Sequence, residues 1–234
     1  MIRHGRNLAI YVNGVDISGD LNEINSISEQ DMADVATFGA INHQAYPGLA
    51  KDSGTIQAIY NSTGATIFEG LIQNATGYGM MICFASTAGS AVYSTNSILL
   101  KNNAMKSIVS DVNRATVTFE TQNYPFEAGS LLFPKAATAT TNVSILDNLT
   151  STLIGGVGYV QVFSVGSSGN FTPRIETSST NEWLGEHHTI AVFSTSATAT
   201  AKRTAISGTI ERYNRCGWNI TASTATFAVS LVRY

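Results

Sequence analysis

The residues that could do chemistry are few, and their spacing does not serve it. Glu186-His187-His188 comes nearest to a metal site. Neighbours on a strand point to opposite faces, however, so the two imidazoles would not converge on one ion without a bulge, and the triplet reads as a solvated turn. His43 stands alone beside Gln44 and reads as a surface or interface residue. Glu29, Asp31 and Asp34 form an acidic group, but nothing nearby would raise one carboxyl for acid–base work; they read as a solvated or inter-subunit rim. The chain has no Gly-x-Ser-x-Gly elbow, no phosphate-binding Gly-x-x-x-x-Gly-Lys loop and no Cys-x-x-Cys. Cys83, in the apolar run 80–84, and Cys216, beside Gly217 and Trp218, read as small buried hydrophobes with reduced thiols. Tyr159, Trp183, Tyr213 and Trp218 are the rings that would make a sugar-stacking face, although sandwich cores use the same residues. These observations point away from an enzyme and imply no cofactor and no metal.

The elements that would position these residues are strands. Leu8, Ile10 and Val12 share one face, and Asn13-Gly14 supplies the turn before Val15, which predicts a hairpin. Further strands are expected at 55–60, 66–73 and 80–86, each bounded by Gly, Asn or Ser. Between 106 and 122, Ala115, Val117 and Phe119 alternate with Thr116, Thr118 and Glu120, the two-residue period of a half-buried strand. Val160 and Val162 alternate in the same way with Tyr159, Gln161 and Phe163, and Phe227, Val229 and Leu231 close the chain. Residues 28–35 are acidic and short of strand signals, and leave a short helix or an extended loop open. Turn signals every 8–15 residues with no helical pattern between them predict an all-β fold of two β-sandwich domains.

Composition bounds the function. Of 234 residues 44% are apolar and only 12% charged, about half the usual charged share, so the surface is largely Ser, Thr, Ala, Asn and Gly and the chain is not intrinsically disordered. Six Asn-x-Ser/Thr triplets follow from that composition. The longest weakly polar run, 153–166, is too short for a membrane helix, and residues 1–6 lack the apolar stretch of a secretory signal, so synthesis in a cytoplasm and no membrane partner are expected. Net charge is −3, with no basic cluster for nucleic acid. Residues 1–134 hold 6 Lys/Arg against 11 Asp/Glu, and residues 135–234 hold 7 against 5. With the Thr/Ala-rich segment 135–142 as linker, the expected domains are 1–134 and 135–234. A weakly charged, strand-rich surface suits a subunit that packs against copies of itself.

The stretch 8–20 (LAIYVNGVDISGD), then 34–39 (DVATFG), 46–49 (YPGL) and 54–57 (GTIQ), resembles the opening of tailed-bacteriophage tail-tube-type proteins. The likeness covers about residues 7–125, with 104–122 resembling that family's closing strands; between Tyr60 and Phe68 the sequence offers only a turn where the family has a helix. Residues 140–234, with 158–163 (GYVQVF) and 207–213 (SGTIERY), are similar to jelly-roll domains appended to phage virion proteins, which resemble carbohydrate-binding modules. The resemblance implies a virion structural protein, assembling through its first domain and projecting its second. As a tail tube it would form hexameric rings around a lumen that DNA crosses as a transient passenger. As a capsid decoration or cement protein it would form trimers on the head. A glycan-binding adhesion module displayed on the virion is a further alternative. Partners would be copies of itself and other virion proteins such as capsid or tail proteins. The subunit interface would include Arg3 and Arg6 of an N-terminal arm, with Asp34, Thr37, Phe38, Gly39, Tyr46 and Pro47 of the loop that follows the hairpin.

Overall fold

A computed structural model of the chain describes residues 8–34, 45–59, 77–106, 114–138, 145–167, 169–183 and 187–234. Their backbone is overwhelmingly extended. The strands are β1 (Ala9–Val12), β2 (Val15–Asp16), β3 (Leu21–Asp34), β4 (Ala45–Ile59), β5 (Tyr78–Cys83), β6 (Ala91–Lys106), β7 (Arg114–Thr121) and β8 (Glu127–Thr138). They continue with β9 (Leu146–Asp147), β10 (Gly156–Val165), β11 (Phe171–Ser178), β12 (His187–Val192), β13 (Thr200–Ile206), β14 (Tyr213–Ile220) and β15 (Ala225–Arg233). One 3-10 turn, Ser18–Asp20, joins them, and the described residues include no α-helix. The fold is all-β and of sandwich type, as the alternation predicts.

The chain divides into two compact bodies that do not follow the expected division at 134/135. The first comprises Met1–Gly19, Tyr78–Asn96 and Glu127–Tyr234; the second comprises Asp20–Gly77 and Ser97–Phe126. Strand β8 runs across position 134 without a break, and Ala136, Ala137 and Thr138 pair with Phe227, Thr226 and Ala225 of β15. A Thr/Ala run has the composition of a linker, but its small side chains also suit a strand, and here a partner almost ninety positions later claims its backbone. Charge follows the bodies: 9 Lys/Arg against 7 Asp/Glu in the first, 4 against 9 in the second.

In the first body one sheet has the order β13-β10-β15-β8-β6-β5-β1-β2, and a second has β12-β11-β14-β9. The central strands of the larger sheet bury both faces, and successive side chains serve different interiors. From β10 and β15, Val160, Val162, Phe227, Val229 and Leu231 meet Phe171, Ile175, Cys216 and Trp218 of the smaller sheet. Their alternates Val157, Tyr159, Ala228 and Val232 meet Tyr11, Met81 and Cys83 from the other end of the same sheet. That sheet therefore curls until its ends approach. The Gly14 N–H donates to Gln161 Oε1 at 2.7 Å. Gly14 itself, at φ +78°, has room for no Cβ: one would lie 2.2 Å from the Val162 carbonyl oxygen and 2.7 Å from the Thr200 nitrogen. The Asn13-Gly14 turn thus closes the predicted hairpin with two positive φ angles, 47° and 78°, the pair that a tight two-residue turn requires. Cys83 and Cys216 are free and buried, and burial pushes the Cys83 thiol up to about 12.

The second body is built on the order β3-β4-β7, with β7 continuing onto the latter part of β6. Strands β3 and β4 form a long antiparallel pair reaching from Leu21 opposite Ala58 to Asp34 opposite Ala45. The segment left open between helix and loop is therefore strand up to Asp34, because β4 offers it a continuous ladder and tertiary pairing overrides weak local preference. Val117 and Phe119 of β7 are buried with Ile56, Ile98 and Leu100, as the alternation predicts. Opposite them, Glu120 forms ion pairs with Lys51 and Lys101. The strand expected at 66–73 lies outside the described residues.

Candidate assembly surface

Between β9 and β10 of the first body, a short loop presents Leu149, Leu153 and Ile154 with 74%, 77% and 75% of their surface open to solvent. Single exposed leucines are ordinary; three large aliphatic side chains within six residues are not. The loop is firmly held. Arg212 grips Asp147 with two bonds of 2.7 Å, and the Leu149 N–H donates to Asp147 Oδ1 at 2.8 Å. Asn148 N–H donates to the Arg212 carbonyl at 3.0 Å, and Thr152 and Ile210 exchange a pair of 2.9 Å backbone bonds. Arg233 donates to the Thr150 carbonyl, Thr152 Oγ1 donates to the Tyr234 carbonyl, and the Tyr234 N–H closes the loop on Gly155 at 3.0 Å. Leu149 is held at φ +67°, a conformation that costs a branched side chain on the order of 1 kcal/mol or more. So many bonds on so few residues fix the apolar side chains outward. Burying all three would return on the order of 5 kcal/mol, with little ordering left to oppose it.

The carboxylate that anchors the loop is tuned for the task. The Arg212 guanidinium, followed by the Leu149 N–H, holds the Asp147 carboxyl down to about 2. Nothing in the sequence marks this loop, since an exposed Leu-Ile pair reads the same as a buried one until its neighbours are known.

Of the expected interface residues, Asp34 ends β3, while Tyr46 and Pro47 begin β4, where Tyr46 pairs with Ala33 and Pro47 with Met32. The backbone thus brings Asp34, Tyr46 and Pro47 to one end of the long hairpin. Arg3, Arg6, Thr37, Phe38, Gly39 and His43 lie outside the described residues. The four rings offered as a sugar face do not form one. Tyr159 and Trp218 are buried in the two interiors of the first body. The Tyr159 hydroxyl donates to Glu127, and its ring is needed for packing. Trp183 is buried as well, and Tyr213 is half-buried. The physical reason is register: Trp218 shares the inward face of β14 with Cys216, while β10 has no solvent face across residues 156–162. His187 and His188 are exposed at the start of β12, and the described residues hold no cluster of three His, Cys, Asp or Glu that could bind a metal. Among the described residues no helix is long and apolar enough to cross a membrane.

No protein-family model matches the chain, and no curated protein matches its sequence. Among solved structures it is similar to a chain in the virion of a native gene transfer agent particle, with TM-score 0.44 and 8% identity over 53% of this chain and 98% of that one. It is similar to a chain of the sheath–tube complex of an extracellular contractile injection system in its extended state, with TM-score 0.42 and 12% identity over 52% of this chain and 88% of that one. It is also similar to the Dit protein of phage SPP1, described as a hub adsorption apparatus component, with TM-score 0.40 and 10% identity over 97% and 99% of the two chains.

Proposed function

We propose that this chain is a structural subunit of a tailed-phage virion, that it assembles with copies of itself and with other virion proteins, and that it carries no enzymatic activity. The observation that supports this most directly is the pinned apolar loop 148–155: a surface with Leu149, Leu153 and Ile154 fixed outward is built to be covered. The sequence resemblance of residues 7–125 to tail-tube-type proteins supplies the placement, a subunit of hexameric rings in the tail tube. A body with 4 Lys/Arg against 9 Asp/Glu suits a lumen that must not retain DNA. A trimeric capsid decoration or cement subunit is the second reading. It is favoured by the position of the apolar loop outside the tube-like stretch, where a docking contact to another virion protein would serve better than a projecting domain.

Negative-stain electron microscopy of the purified chain, with its mass measured in solution, tests both. Rings or tubes of six-fold symmetry are expected for a tail tube, and a compact trimer that does not stack is expected for decoration. A chain that stays monomeric at every concentration overturns self-assembly. Leu149→Asp with Leu153→Asp should leave the fold intact and weaken self-association at least tenfold.

A further inference from the structure

The smaller sheet turns Phe171, Ile175, Cys216 and Trp218 inward, so Arg174, Glu176, Arg215, Gly217 and Asn219 share its outer face. Glu176 is only 3% exposed and receives Arg174 Nε at 2.5 Å and Arg215 Nε at 2.6 Å, while the two arginine side chains keep 26% and 23% of their surface open. Burial pushes the Glu176 carboxyl up, and its bonds to the two arginines more than offset this, so it stays ionised below the usual range. Both guanidiniums are thus held through Nε, which leaves their Nη edges for other partners. Arg174 uses Nη1 on Asn219 Oδ1 at 2.8 Å; among the described residues nothing accepts from the Nη groups of Arg215.

Two local costs accompany this arrangement. The Arg215 guanidinium lies 4.0 Å over the Trp183 ring, and Trp183 adopts φ +53° with its buried indole N–H unpartnered. A strained backbone and an unsatisfied buried donor both cost stability and persist where something else is selected. Gly217 is the third element, since a Cβ there would come within 3.0 Å of Arg174 Nε and of Glu176 Oε1. Two arginines, one buried carboxylate and a bare backbone position thus yield a fixed guanidinium pair with net charge +1. Around it stand hydroxyl and imidazole groups: Thr172 on β11, and exposed His187 and Thr189 on β12, Thr189 opposite Glu176.

We infer that this face binds an oxyanion, carboxylate or phosphate, carried on a hydroxyl-bearing oligomer, with the Nη groups of Arg215 and Nη2 of Arg174 taking the anion and Asn219 and Thr189 the neighbouring hydroxyls. Guanidinium forks match both oxyanions. The site goes beyond the assembly role and does not depend on it.

The test is calorimetric titration of the full-length chain at 0.15 M salt with four probes: tetragalacturonate, a glycerol-phosphate tetramer, maltotetraose and a 20-base-pair DNA duplex. Saturable binding of one of the two anionic oligomers, with neither maltotetraose nor duplex binding, is expected, and which oligomer binds identifies carboxylate or phosphate. Arg215→Gln should weaken it about tenfold or more. Because that variant leaves Glu176 under-paired, Gly217→Ala provides the second arm. It keeps every charge but makes Arg174 and Glu176 give by a few tenths of an ångström, and should weaken binding by about twofold. Absence of binding to either anionic oligomer, equal binding of the duplex, or binding untouched by Gly217→Ala would each overturn the assignment.

Discussion

The two compact bodies are both built of antiparallel strands, but they differ in depth and in charge. In the first, β10 and β15 feed alternate side chains into two interiors, so almost no position along them is free to vary. In the second, β7 buries Val117 and Phe119 on one face and gives Glu120 to ion pairs on the other. The first body has a slight excess of cations and the second a clear excess of carboxylates. The contrast separates a body with two interiors from an acidic body whose strand β7 buries a single face, and it can be broken or sharpened by substitution.

The largest effect should come from Phe227→Ala. Its ring stacks on Phe133 at 4.6 Å and packs against Phe171 at 4.5 Å and Trp218 at 5.3 Å, so truncation leaves three rings facing a void. A loss of about 4–5 kcal/mol is expected by denaturant titration. Phe119→Ala in the second body removes, among the described residues, one ring partner, Phe126 at 5.9 Å, and should cost nearer about 3 kcal/mol. Equal losses would show the second interior to be as demanding as the first. Next comes Gly14→Ala, where a methyl group meets fixed backbone of β10 and β13 and the positive φ is disfavoured; about 2–3 kcal/mol is expected.

These positions also show what a sequence can reveal. The Asn13-Gly14 hairpin and the Val117/Phe119 alternation are local, and both are observed as read. The burial of Trp218 was within reach, because Cys216 and Trp218 alternate with Arg215, Gly217 and Asn219 in a strand-like period. Arg174 and Glu176, two apart on a strand, could likewise have been placed on one face. Their meeting with Arg215 depends on the register between β11 and β14, which no local pattern encodes. The same limit explains residues 28–34, whose strand character is conferred by pairing with β4, and residues 135–138, whose partner β15 lies almost ninety positions later. It also explains why one β10 residue in two did not point to solvent.

The salt dependence of self-association comes next. If the acidic second body of one copy meets the cationic first body of another, moving from 0.05 M to 0.5 M salt should weaken assembly about three- to tenfold by analytical ultracentrifugation. Assembly that strengthens with salt would instead assign the contact to apolar groups such as Leu149, Leu153 and Ile154 alone.

The smallest effect concerns the anchor of that loop and separates it from the acidic second body. The Asp147 carboxyl is held near 2 by Arg212 and the Leu149 N–H, below its ordinary value of 3.8. A carboxylate whose value is lowered by folding contributes fully above its unfolded value and loses that contribution as pH falls through the folded one. The grip on the loop should therefore be complete above about pH 4 and fade toward pH 2. The amide resonance of Leu149 should hold its position from pH 7 to about 3 and then move in one step. Asp147→Asn should remove the step while leaving the melting temperature almost unchanged, because the pair lies open to water and acts on a loop rather than on either core. A Leu149 amide that titrates near pH 4 in the native chain would mean that Arg212 does not hold the carboxylate, and that the apolar side chains are less firmly presented than their hydrogen bonds imply.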